Sequence, residues 1–194
     1  MTAKKQLWLL AGGDGSGKST FYRMFIETRG IRFINADLIA RDMTEEPEHV
    51  SYKAARLAER LCHDLLSHGL TFCFETVFSH ASKIDFIAKA KSLGYEVILI
   101  YIHLENPDLN KARVHQRVSE GGHNVPAEKI RSRIPRTMAH IARALPLVDS
   151  ARFLDNSFRH DPFRQVAAIR NGRKRILTHP LPDWAREMLK NVPE

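Results

Sequence analysis

The stretch Leu7-Trp8-Leu9-Leu10-Ala11-Gly12-Gly13-Asp14-Gly15-Ser16-Gly17-Lys18-Ser19-Thr20 decides the fold of this chain. Counted from Gly12, it fits the pattern G-x-x-x-x-G-K-S, which binds phosphate when a strand precedes it and a helix follows it. Both conditions are predicted here, because Gln6–Ala11 is nearly all apolar and a helix is expected from Gly17 to about Thr28. We therefore predict that this loop binds the phosphates of a nucleoside triphosphate, ATP or GTP.

Each residue type in the loop has a chemical reason. Glycines allow backbone N–H groups to turn inward around a phosphate, where a Cβ atom would collide. The helix that begins near Gly17 adds unpaired N–H donors and the positive end of its dipole. Lys18 is expected to reach the outer phosphates, and the Ser19 hydroxyl is expected to hold Mg²⁺. The predicted nucleotide-binding residues are Gly12, Gly13, Asp14, Gly15, Ser16, Gly17, Lys18, Ser19 and Thr20.

Length and composition limit the class of protein. With 194 residues, 43% of them hydrophobic, we expect a single domain over residues 1–194. No run of about 18 apolar residues predicts a membrane span, and no cleavage site follows the short apolar run near the N-terminus. Cys62 and Cys73 have apolar neighbours, so buried thiols and a cytoplasmic location are expected. The formal charge of +8 suits an anionic ligand such as a nucleotide or nucleic acid.

Strand patterns and helix patterns alternate along the chain, which predicts an α/β P-loop NTPase fold with a central parallel five-stranded sheet flanked by helices. Glu96–Leu104 is apolar on both faces, as strands of covered parallel sheets are. The predicted strands are Gln6–Ala11, Ile31–Ala36, Leu70–Thr76, Glu96–Leu104 and Ala151–Asp155. After the first helix, the predicted helices are Tyr52–His68, Ser82–Leu93, Asp108–Glu120 and Ala127–Leu147, the last kinked or broken at Pro135.

The C-terminal part of the chain carries a hairpin signal. Asn171-Gly172 lies between Gln165–Arg170 and Arg173–Leu177, and this dipeptide is the strongest short-range indicator of a β-hairpin. A short helix is predicted at Asp183–Lys190. We expect this region, at about residues 164–190, to be an appendage of the same domain, with its basic residues forming a solvated edge.

Two carboxylates follow predicted strands at the edge where α/β sheets bind their ligands. Asp37 comes directly after the second strand, and Glu75 with Thr76 ends the third. Phosphoryl transfer needs Mg²⁺ and a carboxylate that accepts the proton of the acceptor hydroxyl, so both are candidates. The alternative is that either one only satisfies nearby backbone donors, as a helix N-cap does. Asp155, after the fifth strand, is expected to make local turn contacts.

A group of arginines predicts a lid at about residues 113–136. Arg113 and Arg117 are one helical turn apart, and a loop with two glycines leads to three more. Such a loop between arginine-bearing helices is typical of a lid that closes over phosphates. Arginine suits this role because its planar guanidinium binds two phosphate oxygens at once. The alternative is a solvated basic face joined by an ordinary loop. His123 is either a contact beside the hinge or a surface histidine. The arginines are Arg113, Arg117, Arg131, Arg133 and Arg136.

The ordered set of motifs resembles the zeta-toxin family of P-loop kinases, in particular its short stand-alone branch. The motifs are Gly12–Thr20, Phe33-Ile34-Asn35-Ala36-Asp37, Phe74-Glu75-Thr76, and Gly121-Gly122-His123-Asn124-Val125-Pro126 with the arginines that follow. The resemblance covers nearly the whole chain. It implies the fold of nucleotide and small-metabolite kinases. It also implies transfer of the γ-phosphate of ATP or GTP to a hydroxyl of UDP-N-acetylglucosamine.

The resemblance also implies roles for single residues. Glu75 and Thr76 would line the acceptor site together with Asp37, which would be the base on the acceptor hydroxyl. Ser19 would hold Mg²⁺. The predicted catalytic residues, including the lid arginines that would stabilise charge, are Lys18, Asp37, Arg113, Arg117 and Arg133.

Asp14 departs from the family pattern, which has asparagine or another uncharged residue at this place in the loop. A carboxylate that faced the phosphates would repel them. We therefore expect the Asp14 side chain to point outward.

Two other functions stay open. A nucleic-acid end kinase or nucleic-acid-dependent ATPase would use the basic residues of the C-terminal part, but few aromatic side chains lie among them for stacking, so nucleic acid is the less favoured partner. A non-catalytic nucleotide-binding module of a toxin–antitoxin system is the other. Antitoxins of the zeta-toxin family obstruct the nucleotide site, so the resemblance implies an antitoxin protein as a partner beside a small-molecule substrate. The basic residues are Arg159, Arg164, Arg170, Arg173, Lys174 and Arg175.

Overall fold

The computed structural model describes residues 4–43, 47–122 and 124–194. Its strands are β1 (Gln6–Gly12), β2 (Arg32–Ile34), β3 (Phe72–Thr76), β4 (Glu96–His103), β5 (Ser150–Asp155), β6 (Arg164–Arg170) and β7 (Arg173–Ile176). They form one seven-stranded sheet in the order β2-β3-β1-β4-β5-β6-β7. The first five strands pair in parallel and the last two pair antiparallel. The predicted parallel five-stranded sheet is confirmed.

The helices are α1 (Lys18–Phe25), α2 (Ala36–Arg41), α3 (Pro47–Ser67), α4 (Ser82–Ser92), α5 (Pro107–Ser119), α6 (Ala127–Ala144) and α7 (Asp183–Leu189). Short 3-10 turns follow α1 at Glu27–Arg29 and α6 at Leu145–Leu147. Helix α2 is not among the elements predicted from the sequence. This helix begins because the side chain of Asn35 accepts hydrogen bonds from the backbone N–H groups of Asp37 and Leu38.

Both faces of the sheet are covered by apolar side chains. On β1, Leu7 and Leu9 face a large core that also receives residues from α3, α4, α6 and α7. The intervening residues Trp8 and Leu10 face a smaller core that includes Phe21 of α1. Successive side chains of a strand point to opposite faces, so a strand buried on both sides must be apolar throughout. The glycine-rich loop after β1 is therefore fixed to a deeply buried strand.

The C-terminal hairpin continues the sheet. β6 pairs with β5, and β7 pairs with β6. At the turn, Asn171 and Gly172 have φ values of 53° and 74°, as the tight hairpin turn requires. Val166 and Ile169 lie in the large core, which explains why the hairpin joins the sheet and is not an appendage beside it.

Helix α6 runs through Pro135 without a break. The sequence predicts a kink or a break at this proline. A break is wrong, because the helix continues to Ala144. The residues up to Leu147 form the separate 3-10 turn, which has a proline in its first turn.

Cys62 and Cys73 are buried and free, as predicted. Burial raises the pKa of both thiols well above the ordinary range, which suits structural cysteines. Among the described residues, none of the helices is both long and apolar enough to cross a membrane.

Candidate active site

The loop between β1 and α1 is held in a shape that only glycines allow. Gly12, Gly15 and Gly17 have φ values of 152°, 73° and 99°. A Cβ atom on Gly12 would collide with the carbonyl oxygen of Ile102. On Gly15 and on Gly17 it would lie 2.6 Å from the Asn110 carbonyl oxygen and from Asn156 Nδ2, respectively. The loop is thus wedged between β4, α5 and the segment after β5.

The Lys18 side chain folds back to contact this loop. Its ammonium donates to the carbonyl oxygen of Gly13 at 3.0 Å and lies 3.7 Å from Glu75 Oε1. The Lys18 side chain is only 7% exposed. Within the described part of the chain, the buried hydroxyl of Ser16 has no hydrogen-bond partner. The Lys18 ammonium and the unpaired Ser16 hydroxyl are therefore suited to binding phosphate oxygens in this loop.

Ser19 and Glu75 form a small oxygen-rich group beside Lys18. The Ser19 hydroxyl donates to Glu75 Oε2 at 2.7 Å, and Asn35 Nδ2 donates to the same oxygen at 2.7 Å. A hydroxyl and one carboxylate are the kind of donors that Mg²⁺ accepts from proteins, with waters and substrate phosphates completing its shell. The residues present therefore fit a magnesium ion. Glu75, expected to line the acceptor site, lies directly against the Ser19 hydroxyl.

Asp37 lies at the start of α2, where the Asn35 side chain caps the helix. Its Oδ2 atom accepts from Arg117 Nη1 at 3.2 Å, and its side chain is 49% exposed. Asp37 therefore faces an open cleft and contacts an arginine of the predicted lid. Thr76 accepts a hydrogen bond from the backbone N–H of Phe78 at 3.0 Å and shapes the turn after β3.

A cleft of about 510 Å³ connects these groups. Beyond Asp37 it extends between α3 and α4, where Phe74 and Phe78 provide apolar walls and Lys83 pairs with Glu59. This volume is within the range of ligand pockets. The predicted site residues that line it are Asp14, Lys18, Asp37, Glu75, Thr76, Arg117 and Arg133.

The predicted lid arginines occupy three different places in the structure. Arg117 and Arg133 line the cleft. Arg113 instead lies beside Gly15 and donates to the carbonyl oxygen of Asn156 at 2.9 Å. Burial, with a smaller effect of Arg159, lowers the pKa of Arg113. The other two lie away from the cleft lining: Arg131 pairs with Asp108, and Arg136 donates to Ser132.

Asp14 does not point outward as expected. Its side chain is 10% exposed, and Oδ2 accepts from Arg133 Nη1 at 3.0 Å. The negative charge is tolerated at this nearly buried position because the guanidinium of Arg133 on α6 lies against it.

Two asparagines that were not predicted as site residues hold the loop in place. Asn110 Nδ2 donates to the carbonyl oxygen of Asp14 at 2.7 Å, and Asn156 Nδ2 donates to that of Ser16 at 2.9 Å. Asn156 follows a predicted strand, which was an available signal, whereas nothing in the helical pattern singles out Asn110. Asp155 makes the expected turn contact, to the N–H of Ser157 at 2.9 Å, and also binds Arg164. His123 lies outside the described residues.

A family model described as Zeta toxin matches residues 1–177. The chain belongs to the zeta toxin family. An uncharacterized protein of Haemophilus influenzae is 31% identical over 138 residues, which are 67% of this chain and 98% of that protein. Family membership confirms the resemblance drawn from the motifs.

Two solved structures have the same fold. A chain of the AvrRxo1-ORF1:-ORF2 complex with ATP superposes with a TM-score of 0.72 at 20% identity, over 99% of this chain and 64% of that one. This zeta toxin family member therefore spans less than two thirds of that relative's length. A chain from the PezAT toxin–antitoxin system of Streptococcus pneumoniae gives 0.63 at 18% identity, over 98% of this chain and 85% of that one. The predicted α/β P-loop fold is confirmed, and the family and fold together support a nucleotide-dependent kinase.

Proposed function

We propose that this zeta toxin family protein transfers the γ-phosphate of ATP or GTP to a hydroxyl group of a UDP-activated amino sugar, UDP-N-acetylglucosamine. The observation that carries the proposal is the shared cleft that brings Lys18 of the phosphate loop, Asp37 and two arginines of the predicted lid together. A phosphate donor and an alcohol acceptor in one cleft is what phosphoryl transfer requires.

The donor side of the cleft is the loop from Gly12 to Thr20. Its backbone N–H groups and the start of α1 bind the inner phosphates, and Lys18 exchanges its bond to the Gly13 carbonyl oxygen for a phosphate oxygen. Ser19 and Glu75 would hold Mg²⁺, which neutralises charge on the phosphates when bound. Arg113, on the other side of the loop, would contact the nucleotide away from the reacting phosphate.

The acceptor side begins at Asp37. Its carboxylate takes the proton of the acceptor hydroxyl while the oxygen bonds to the γ-phosphorus and the bond to the bridging oxygen of ADP breaks. Arg117 contacts Asp37 and orients it. Arg117 and Arg133 are placed to balance the charge that spreads over the phosphoryl oxygens in the transition state.

The far end of the cleft supports an acceptor larger than a simple alcohol. Phe74 and Phe78 offer apolar surface, and Lys83, paired with Glu59, offers a cation close to the Phe74 ring. Lys129 lies along the same cleft. Apolar walls with a few polar groups suit a nucleoside and sugar, and the cations suit the diphosphate between them.

The experiment compares Asp37→Asn with Asp42→Asn, an exposed carboxylate at the other end of the same helix. We expect Asp37→Asn to bind ATP with unchanged affinity in calorimetry. Its transfer of phosphate to UDP-N-acetylglucosamine should fall by roughly 10²- to 10⁴-fold, the contribution of a general base. Asp42→Asn should behave as wild type. Full transfer by Asp37→Asn would exclude it as the base.

A protein partner is also proposed. The solved relatives come from a two-protein AvrRxo1 complex and from a toxin–antitoxin system. An antitoxin that covers the cleft would block nucleotide entry. Copurification from the native host, followed by loss of ATP binding in the complex, would support this partner, and undiminished ATP binding in the complex would exclude it.

A further inference from the structure

An acidic residue within a phosphate-binding loop needs an explanation. Asp14 lies between two glycines of the loop, and its side chain is nearly buried. Helix α5 fixes its backbone through Asn110, and helix α6 fixes its carboxylate through Arg133, 119 residues away in sequence. A buried charge with one defined partner is costly to separate from that partner.

We propose that Asp14 is a positioning residue that holds the Arg133 guanidinium at the mouth of the phosphate loop, ready to bind the transferred phosphoryl group. This inference rests on the proposed function, because it assigns Arg133 to the reacting phosphate. The carboxylate charge is already matched by Arg133, so an entering triphosphate meets the guanidinium and is not repelled by Asp14.

The geometry of arginine makes this double contact feasible. The guanidinium is a planar fork of N–H donors, and Asp14 uses only the Nη1 end. The Arg133 side chain is 31% exposed and lines the cleft, so its remaining donors are accessible to a ligand in the cleft. A charge held in advance of the reaction stabilises the transition state without reorganisation during the step.

The second ion pair of the site is different in character. Arg117 contacts Asp37, but the Asp37 side chain is about half exposed, whereas that of Asp14 is 10% exposed. Water competes with the outer pair far more than with the inner one. Asp14 is therefore suited to holding an arginine in a fixed position. Asp37 is suited to accepting a proton during the reaction.

The opposite role is a latch, in which Asp14 withholds Arg133 from the nucleotide. The two roles predict opposite results for Asp14→Asn, which keeps the shape and removes the charge. If Asp14 positions Arg133, kcat should fall by about 10- to 100-fold, as when other orienting partners are removed, with little change in the KM for MgATP. If Asp14 is a latch, MgATP should bind more tightly and turnover should rise, which would overturn the proposal.

Chemical rescue separates positioning from a purely structural role. Arg133→Ala should lose roughly 10²- to 10³-fold in kcat, as when a transition-state donor is removed. Guanidinium chloride, far below denaturing concentrations, should restore part of that rate because Asp14 still offers its carboxylate. The double variant Asp14→Asn/Arg133→Ala should show no rescue. Potassium chloride at equal ionic strength and guanidinium added to wild type are the controls, and circular dichroism verifies that each variant is folded.

The outcomes distinguish this inference from the proposed function. Turnover is measured with UDP-N-acetylglucosamine and, separately, with water as acceptor. If Asp14→Asn turns over substrate at the wild-type rate, or if rescue persists in the double variant, the positioning role alone is overturned. A wild-type protein that does not bind MgATP overturns the proposed function and the role of Asp14 with it.

Discussion

At the level of single residues, the phosphate loop depends on backbone positions that side chains would disturb. Gly12 has a φ of 152°, and a Cβ atom there would collide with the carbonyl oxygen of Ile102 on β4. Backbone atoms of a central strand cannot move aside without breaking the sheet. The loop is therefore built into the core, and its shape is set before any nucleotide binds.

Gly12→Ala should destabilise the protein strongly. Overpacking and backbone strain each cost about 1–3 kcal/mol, so we expect a loss of about 2–6 kcal/mol in urea unfolding. Gly30→Ala is the matched control, because Gly30 also has a positive φ, but a Cβ atom added there would meet no atom of the described residues within 4 Å beyond its own chain neighbours. It should cost only about 1–2 kcal/mol. Equal losses for both variants would contradict the steric explanation.

His103 is a buried histidine at the end of β4. Its Nδ1 atom lies 2.9 Å from the Tyr101 hydroxyl, and its ring lies 4.5 Å from that of Trp184. Burial lowers the pKa of His103 from 6.5 to about 4, although Asp155 opposes part of this shift. The unfolded chain therefore binds a proton that the folded protein excludes between these two pH values.

Stability should consequently fall as the pH drops from about 6.5 to 4. At about 1.36 kcal/mol per unit, the full loss attributable to His103 is about 3 kcal/mol. His103→Asn should reduce this pH dependence of the unfolding free energy, whereas His160→Asn, an exposed site, should not. A pH profile of His103→Asn parallel to that of wild type would contradict the assignment.

The sequence predicts the residues of the site better than their contacts. Local patterns place Lys18, Asp37 and Glu75 at strand ends, and the parallel sheet brings those ends together. The pairing of Asp14 with Arg133 joins residues 119 positions apart in sequence. It depends on how α6 lies across the loop, which no local pattern records.

At the level of elements, length decided which predictions succeeded. The long helices and the apolar strands have many residues with one period. Their predicted ends agree with the structure to within three residues, except that α3 begins at Pro47, five residues before the predicted start at Tyr52. Helix α2 has six residues, too few for a period to emerge, and only its Asn35 cap marks it. The hairpin was recognisable from Asn171-Gly172, but its attachment to β5 depends on the burial of Val166 and Ile169.

Helix α6 carries a proline in its interior, and replacing it should stabilise the protein. An interior proline costs about 3 kcal/mol, and its loss also frees the unfolded chain by about 0.4–1 kcal/mol. Pro135→Ala should therefore raise the unfolding free energy by about 2 kcal/mol. Pro135 and Pro146 both line a surface groove beside α6, but Pro146 lies in the first turn of a 3-10 helix. Pro146→Ala should therefore cost about 0.4–1 kcal/mol. A loss of stability in Pro135→Ala would show that the ring is needed for packing.

At the level of the whole molecule, one sheet fixes the geometry of the site. Strands β1, β2 and β3 bring the phosphate loop, Asp37 and Glu75 to one edge, and α5 and α6 bring arginines over it. The net charge of +8 of the whole chain favours binding of anionic ligands. These features suit the function that we propose, in which a triphosphate and a nucleotide sugar bind at this edge.

The most direct test incubates the protein with ATP, Mg²⁺ and either UDP-N-acetylglucosamine or a metabolite extract, followed by mass spectrometry. We predict a product about 80 Da heavier than its acceptor, the mass of a transferred phosphoryl group, together with an equal amount of ADP. Lys18→Ala should form none, because the loop then lacks its cation for the outer phosphates. Kinase activity at this site would be contradicted if no phosphorylated acceptor formed in any mixture, or if Lys18→Ala were as active as wild type.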